Sequence, residues 1–287
     1  MSSFILSAFG DEISPNLTTQ MDVLEQNDIK FIEMRGVNGK NIVQCSSGEA
    51  TDIKKQLEAR GFRISAIGSP FGKIGIEDDF APHLELFRHT LELAKILETG
   101  YIRLFSFYPP MGGDPADYRS QVMDRFSQFV QAAAGTGITL LHENEKDIYG
   151  DTPERCLDLL ETMDSRCTGA IFDPANFVQC DIKTYPEAYG LLKDHIKYMH
   201  IKDAVYSDHH VVPAGYGDGK VKEILKALYD SGFEGFLSIE PHLWDFVGYA
   251  ELEPRSHVNK MEDGGPKQFA IAAEALRKII AEIEALI

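Results

Sequence analysis

Four side chains in the second half of the sequence have the types and spacing to do metal-assisted chemistry. Glu143 lies in Leu140-Leu141-His142-Glu143-Asn144 and Asp173 in Phe172-Asp173-Pro174-Ala175-Asn176. His200 lies in Met199-His200-Ile201-Lys202-Asp203 and Glu240 in Ser238-Ile239-Glu240-Pro241. Each ends or directly follows a short apolar run. One Asp or Glu in such a place is usually a helix cap or a solvated charge. Four in register are different. Three carboxylates and an imidazole brought together repel unless a cation sits among them. A divalent ion satisfies that set. Three oxygen donors and one nitrogen make Mn²⁺ the expected ion, with Mg²⁺, Co²⁺ and Zn²⁺ as alternatives.

The elements that must position these residues can be read from the alternation of apolar runs. Strand-like runs cover Phe4–Phe9, Ile29–Met34, Arg63–Ile67, Tyr101–Phe107, Thr139–Leu141, Gly169–Phe172, Tyr198–Ile201 and Phe236–Ile239. Amphipathic, helix-like stretches lie between them: Leu17–Gln26, Ala50–Ala59, Pro82–Leu97, Tyr118–Ala134, Thr152–Met163, Lys183–Lys193, Lys220–Tyr229 and Pro266–Leu286. Strands joined by helical crossovers pair in parallel. Eight such units of about 36 residues close into a barrel. The expected fold is α/β, a single (β/α)8 TIM barrel over residues 1–287, with no linker or low-complexity tract. An open doubly wound sheet would normally carry a glycine-rich phosphate turn after its first strand. Phe9-Gly10-Asp11-Glu12 has no such glycine triplet.

A parallel barrel builds its active site from the carboxyl ends of its strands. Glu143, Asp173, His200 and Glu240 therefore share one rim. Residues two apart on a strand share a face. That adds Glu145, Lys202 and His242 as candidate substrate contacts, with Asn176 three residues beyond Asp173. Glu33 and Arg35 end the second strand, either reaching the site or pairing with each other. Arg103, inside the fourth strand, reads as half of a buried ion pair. Ser69-Pro70-Phe71-Gly72-Lys73 reads as a rim loop. The long stretch Leu243–Gly265, with Trp244 and Phe246, reads as a lid or a partner surface.

Composition narrows the class. There are 28 Lys and Arg against 45 Asp and Glu, a formal net charge of −17. A field of that sign repels phosphate backbones, so no nucleic-acid partner is expected. Cys45, Cys156, Cys167 and Cys180 form no CxxC pair and read as reduced packing residues. No basic leader precedes the first strand, and no apolar run of about 18 residues exists. A cytoplasmic enzyme is expected, with a small-molecule substrate, no membrane partner and possible homo-oligomerisation. Two motifs fail on inspection. Gly215-Tyr216-Gly217-Asp218-Gly219-Lys220 has Ala214 and Val221 where a phosphate loop needs Gly and Ser or Thr. His142-Glu143 does not open an HExxH motif, because Lys146 holds the last place.

In order and placement, the four quoted stretches, together with Gly215-Tyr216-Gly217-Asp218-Gly219, resemble the sugar phosphate isomerase/epimerase superfamily of xylose isomerase-like TIM barrels. That group includes ketose 3-epimerases, hydroxypyruvate isomerase, inosose dehydratase and, more distantly, endonuclease IV. The resemblance implies one divalent ion held by Glu143, Asp173, His200 and Glu240. It also implies catalytic roles for Glu143 and Glu240, which would remove and return a proton on opposite faces of a keto-sugar or polyol ketone. The implied activity is a sugar isomerase or epimerase working through a metal-bound cis-enediolate. An inosose-type dehydratase on the same metal site is the alternative, and an AP endonuclease or a non-catalytic sugar-binding barrel lies further off. Asn176 stands where ketose epimerases have a histidine, and no arginine closely follows His200. Asp208-His209-His210 resembles an endonuclease IV motif, but His83 and His89 fall within a predicted helix.

Overall fold

The structure is a computed structural model that describes residues 3–163, 166–243 and 264–286. Eight strands form one sheet: β1 Ser3–Ala8, β2 Phe31–Met34, β3 Arg63–Ile67, β4 Tyr101–Leu104, β5 Thr139–Glu143, β6 Thr168–Phe172, β7 Ile196–Ile201 and β8 Glu234–Ile239. Their spatial order is β1-β8-β7-β6-β5-β4-β3-β2, and every neighbouring pair is parallel. A parallel bridge between Phe9 and Glu33 joins the two end strands. The sheet therefore rolls into the expected TIM barrel.

Among the described residues the helices are α1 Leu17–Gln26, α2 Ser47–Glu58, α3 Phe80–Ile96, α4 Arg119–Ala133, α5 Pro153–Met163, α6 Pro174–Gln179, α7 Tyr189–Leu192, α8 Val221–Asp230 and α9 Gly264–Glu284. Side-chain caps set several starts. Asn16 accepts from Thr19 N, Asp79 from Ala81 N, and Ser46 with Glu49 forms a reciprocal capping box. None of these helices is long and apolar enough to cross a membrane.

One expected helix and one expected strand need correction. The stretch Lys183–Lys193 is not one regular α-helix: a kinked π-helical segment at Thr184–Ala188 leads into α7 at Tyr189–Leu192. Tyr185 is extended (φ −135°, ψ 133°) ahead of Pro186, because a proline ring crowds the residue before it out of the helical region. The crossover helix next to β6 is instead the short α6, with Pro174 in its first turn and Asp173 as its cap. The fourth strand also stops at Leu104 rather than Phe107, whose φ of +66° turns the chain away.

The barrel interior is tiered. Ala66, Leu141, Ile171 and Tyr198 form an apolar middle layer, with Tyr101 and Phe236 packed against it. Buried hydroxyls cross that layer: Ser7 Oγ is 2.6 Å from Ser65 Oγ, which is 2.8 Å from Tyr198 OH. Two register slips bend the sheet. One lies between Ile32 and Glu33 where β2 meets β3, the other between Ala170 and Ile171 where β6 meets β7. Above the middle layer the inward residues become charged.

The glycine-rich stretch after β7 has a mechanical explanation. Asp203 Oδ1 accepts from Ala204 N (2.9 Å) and Gly219 N (2.8 Å), while its Oδ2 accepts from Gly215 N and Gly217 N (3.0 Å each). The loop wraps an internal carboxylate. A Cβ on Gly217 would meet Ala204 O at 2.4 Å and Asp203 Oδ1 at 2.5 Å. Gly217→Ala is therefore expected to lower stability by about 1–3 kcal/mol through overpacking. Gly190, where a Cβ meets nothing within 4 Å, serves as control. Denaturant melts of the two alanine variants check this, and equal midpoints would show that the clasp carries no load.

Candidate metal centre at the carboxyl end of the barrel

Glu143 is the last residue of β5, and His200 lies in β7. Asp173 and Glu240 directly follow β6 and β8. All four are buried, and one ligand atom from each lies within 4.8 Å of the other three. His200 Nδ1 is 2.8 Å from Glu143 Oε1, 3.4 Å from Glu240 Oε2 and 3.7 Å from Asp173 Oδ2.

Local structure holds each group in place. Asn144 clamps the Asp173 backbone: its Oδ1 accepts from Asp173 N and its Nδ2 donates to Asp173 O, both at 2.9 Å. Asp173 Oδ1 accepts from Asn176 N (2.9 Å), capping α6. Its Oδ2 is buried and 3.1 Å from Lys202 Nζ, yet accepts no well-directed hydrogen bond. A buried carboxylate oxygen with lone pairs unused is what a cation site requires. By donor chemistry, by convergence and by this unspent oxygen, the four residues fit a divalent ion.

Fixed cations surround the cluster. Lys202 Nζ is 2.8 Å from Glu240 Oε2. Arg103 lies 3.1 Å from Glu143 Oε2 and 3.9 Å from Glu240 Oε1. Arg35 lies 3.2 Å from Glu240 Oε1 and also holds Asp11 (2.7 Å) and Glu12 (3.1 Å). Beneath them the Phe9 ring lies 4.4 Å from the Arg35 guanidinium and 5.2 Å from that of Arg103. Carboxylates still outnumber permanent cations here: Asp11, Glu12, Glu33, Glu143, Asp173 and Glu240 face Arg35, Arg103 and Lys202.

Titration reflects that excess. Burial pushes Glu143 up, but His200 and Arg103 outweigh it and hold the carboxyl below its ordinary value. Burial likewise opposes ionisation of Glu240, yet Lys202, His242 and His200 hold it well below the ordinary range. For Asp173 burial wins over Lys202, and its pKa rises. Burial lowers His200, but Glu143, Glu33 and Glu240 raise it well above its ordinary value. Burial and Lys202 push His242 down, while Glu12 and Glu240 lift it to about 10.

The structure brings most of the sequence-derived candidates together. Asn176 Nδ2 donates to Glu143 Oε1 (3.2 Å), Lys202 bridges Asp173 and Glu240, and His242 Nε2 lies 3.3 Å from Glu12 Oε1 and 3.4 Å from Glu240 Oε1. Glu145 does not join them. β5 ends at Glu143, and Glu145 turns to Lys73 Nζ (2.8 Å) of the loop after β3. Arg103 forms the expected buried ion pair. The alternative pairing of Glu33 with Arg35 is not what forms: Arg35 reaches Asp11, Glu12 and Glu240, and Glu33 reaches His200. His209 and His210 lie in a partly exposed loop on Asp181 and Asp208. Trp244 and Phe246 lie outside the described residues. Sequence reasoning missed Asp11 and Glu12. Their signal was available, since both directly follow the first strand and so sit on the same rim.

A parallel eight-stranded barrel with an acidic, histidine-containing rim defines a class. The sequence profile of the xylose isomerase-like TIM barrel matches residues 21–281, and the chain belongs to that family. Among curated proteins it is similar to an uncharacterized protein of Methanocaldococcus jannaschii, MJ1311, at 29% identity over 141 residues. That alignment spans 44% of this chain and 45% of the relative, less than half of either. It is also similar to fructoselysine 3-epimerase of Escherichia coli O157:H7, at 20% identity over 64% of this chain and 68% of the relative. Among solved structures, the IOLI protein with a binding zinc atom superposes with a TM-score of 0.73 at 16% identity, covering 97% of this chain and 99% of that one.

Proposed function

We propose that the protein is a divalent-metal-dependent isomerase or epimerase of a keto-sugar or polyol ketone. The observation that carries this reading is the convergence of Glu143, Asp173, His200 and Glu240 within 4.8 Å, inside a ring of fixed cations. These four residues would hold the ion, with Mn²⁺ expected. When bound, the ion supplies Lewis acidity toward adjacent carbonyl and hydroxyl oxygens, which acidifies the carbon-bound hydrogen between them.

The chain's own groups move the proton. Glu143 and Glu240 come from strands separated by β6 and β7, so they approach a substrate from different sides. Both carboxyls are held ionised by their cationic neighbours, so either can accept a proton from carbon. Arg103 touches both, and when one carboxyl takes the proton the guanidinium stays paired with the other. Lys202 and His242 on the Glu240 side, and Asn176 on the Glu143 side, would orient substrate oxygens. Glu145, at the rim with Lys73, would meet the distal end of the substrate. The similarity to fructoselysine 3-epimerase supports this substrate class.

The test has two stages. Metal-stripped protein is reconstituted with Mn²⁺, Co²⁺, Mg²⁺ or Zn²⁺ and analysed for bound metal, with about one equivalent expected. Uptake below about a tenth of an equivalent from every ion rejects the metal-dependent reading. Reconstituted protein is then incubated in D2O with a panel of ketoses and inososes. Deuterium in a recovered isomer or epimer supports the proposal. Loss of water with an unsaturated product replaces it with a dehydratase, and the absence of exchange and product across the panel rejects the isomerase.

A further inference from the structure

Glu33 takes no part in the proton-transfer pair, and its side chain is fully buried. Its two carboxylate oxygens lie 3.2 and 3.1 Å from His200 Nε2. Among the described residues His200 is the only cationic group within ion-pair distance of it. A buried carboxylate is costly without a fixed partner, so the arrangement commits Glu33 to one imidazole.

The opposite edge of that imidazole faces the ligand cluster, with Nδ1 nearest to oxygens of Glu143, Glu240 and Asp173. A histidine that ligates a metal uses the lone pair of one ring nitrogen and keeps its proton on the other. An ionised carboxylate only accepts hydrogen bonds. Glu33 therefore selects the proton on Nε2 and leaves Nδ1 as the donor to the ion.

The fold contributes to this alignment twice. The register slip at Ile32/Glu33 and the slip at Ala170/Ile171 sit on the strand pairs that carry Glu33 and His200. Such irregularities re-aim side chains next to active sites. Glu33 also makes the backbone bridge to Phe9 that joins β1 to β2, and the Phe9 ring packs edge-on against His200 at 5.2 Å. The carboxylate, the ring wall and the barrel seam fix the imidazole together.

We infer that Glu33 is a positioning residue for the metal centre, holding His200 in the orientation and tautomer that present Nδ1 to the ion. The inference rests on the reading of the cluster as a metal site. Zn²⁺ affinity is measured by chelator competition for wild type, Glu33→Ala and Glu33→Gln, with folding of each checked by circular dichroism. Glu33→Ala is expected to bind about 10- to 100-fold more weakly, as for loss of other such outer partners. Glu33→Gln keeps an acceptor without the charge, so it falls between, and it preserves the test if the alanine variant does not fold. A second readout is the His200 Nε2–H proton of the Zn²⁺-bound protein, detected by nitrogen-15 NMR and assigned with His200→Gln. It is expected to exchange slowly in wild type and fast in the folded Glu33 variants, which a merely structural role would not produce. Folded variants with wild-type affinity and an unchanged Nε2–H signal overturn the Glu33 assignment alone. Wild type that takes up no metal overturns the metal reading with it.

Discussion

Glu240→Gln is expected to abolish turnover while leaving the barrel folded. Glutamine matches glutamate in volume, so the packing above the middle layer survives. What goes is the negative charge that Lys202, Arg35, His200 and His242 all face. The variant loses a proton acceptor, and a positioned base typically contributes 10²–10⁴-fold. It also loses an anionic metal ligand. The two losses together should lower kcat by at least about 10³. Glu145→Gln is the control, because that carboxyl sits outside the cluster on Lys73. It should raise KM with little change in kcat, the signature of lost binding that is equal in ground and transition states. Solvent-deuterium wash-in measures both variants on one substrate. Turnover in Glu240→Gln within tenfold of wild type would remove Glu240 from proton transfer.

How much of this site could be read from the chain depended on whether its geometry was local. Strand ends are local: an apolar run that stops at a carboxylate shows itself, and the rule that barrel chemistry sits at carboxyl ends did the rest. Alternation by two carried the reading to Lys202, one residue past the end of β7, and to His242, beyond β8. Beyond the end of β5 the same rule placed Glu145 on the rim but not its partner, Lys73 of the loop after β3. Partner choice was not local. Glu33 lies in β2 and Arg35 directly follows it, yet one binds a histidine of β7 and the other binds acids after β1 and β8. Those pairings depend on how far each strand is staggered in the closed barrel, and on the two register slips, which leave no mark in the sequence. Asp11 and Glu12 were visible, but only as the lack of a glycine turn. The sequence shows that the glycines at 215, 217 and 219 do not make a phosphate loop, but not what they are for. Their reason, close approach of the backbone to Asp203, needed coordinates.

Lys202→Met is expected to make the fold depend on metal. Lys202 Nζ contacts oxygens of two of the four ligands, at 2.8 Å on Glu240 and 3.1 Å on Asp173. Without a metal, that ammonium is the nearest counter-charge to Glu240 and Asp173. Methionine keeps the length and the apolar stem but removes the charge. Breaking a buried ion pair from one side typically costs about 3–5 kcal/mol, so the metal-free variant should lose roughly that much in urea unfolding. Part of the loss can be recovered at low pH. Burial already raises Asp173, and Lys202 is the strongest influence opposing that rise. With the lysine gone, Asp173 should hold its proton to higher pH. A group whose pKa is raised on folding stabilises most where it is protonated, so the deficit should be smallest in acid and widen as the pH rises past the ordinary Asp range. A divalent ion bound among the same oxygens replaces the missing charge. Saturating Mn²⁺ should therefore stabilise the variant more than wild type, by the linkage of binding to folding. Equal metal-free stability would show that the ammonium does not carry the charge balance. A deficit that Mn²⁺ leaves untouched would place the ion away from Asp173 and Glu240.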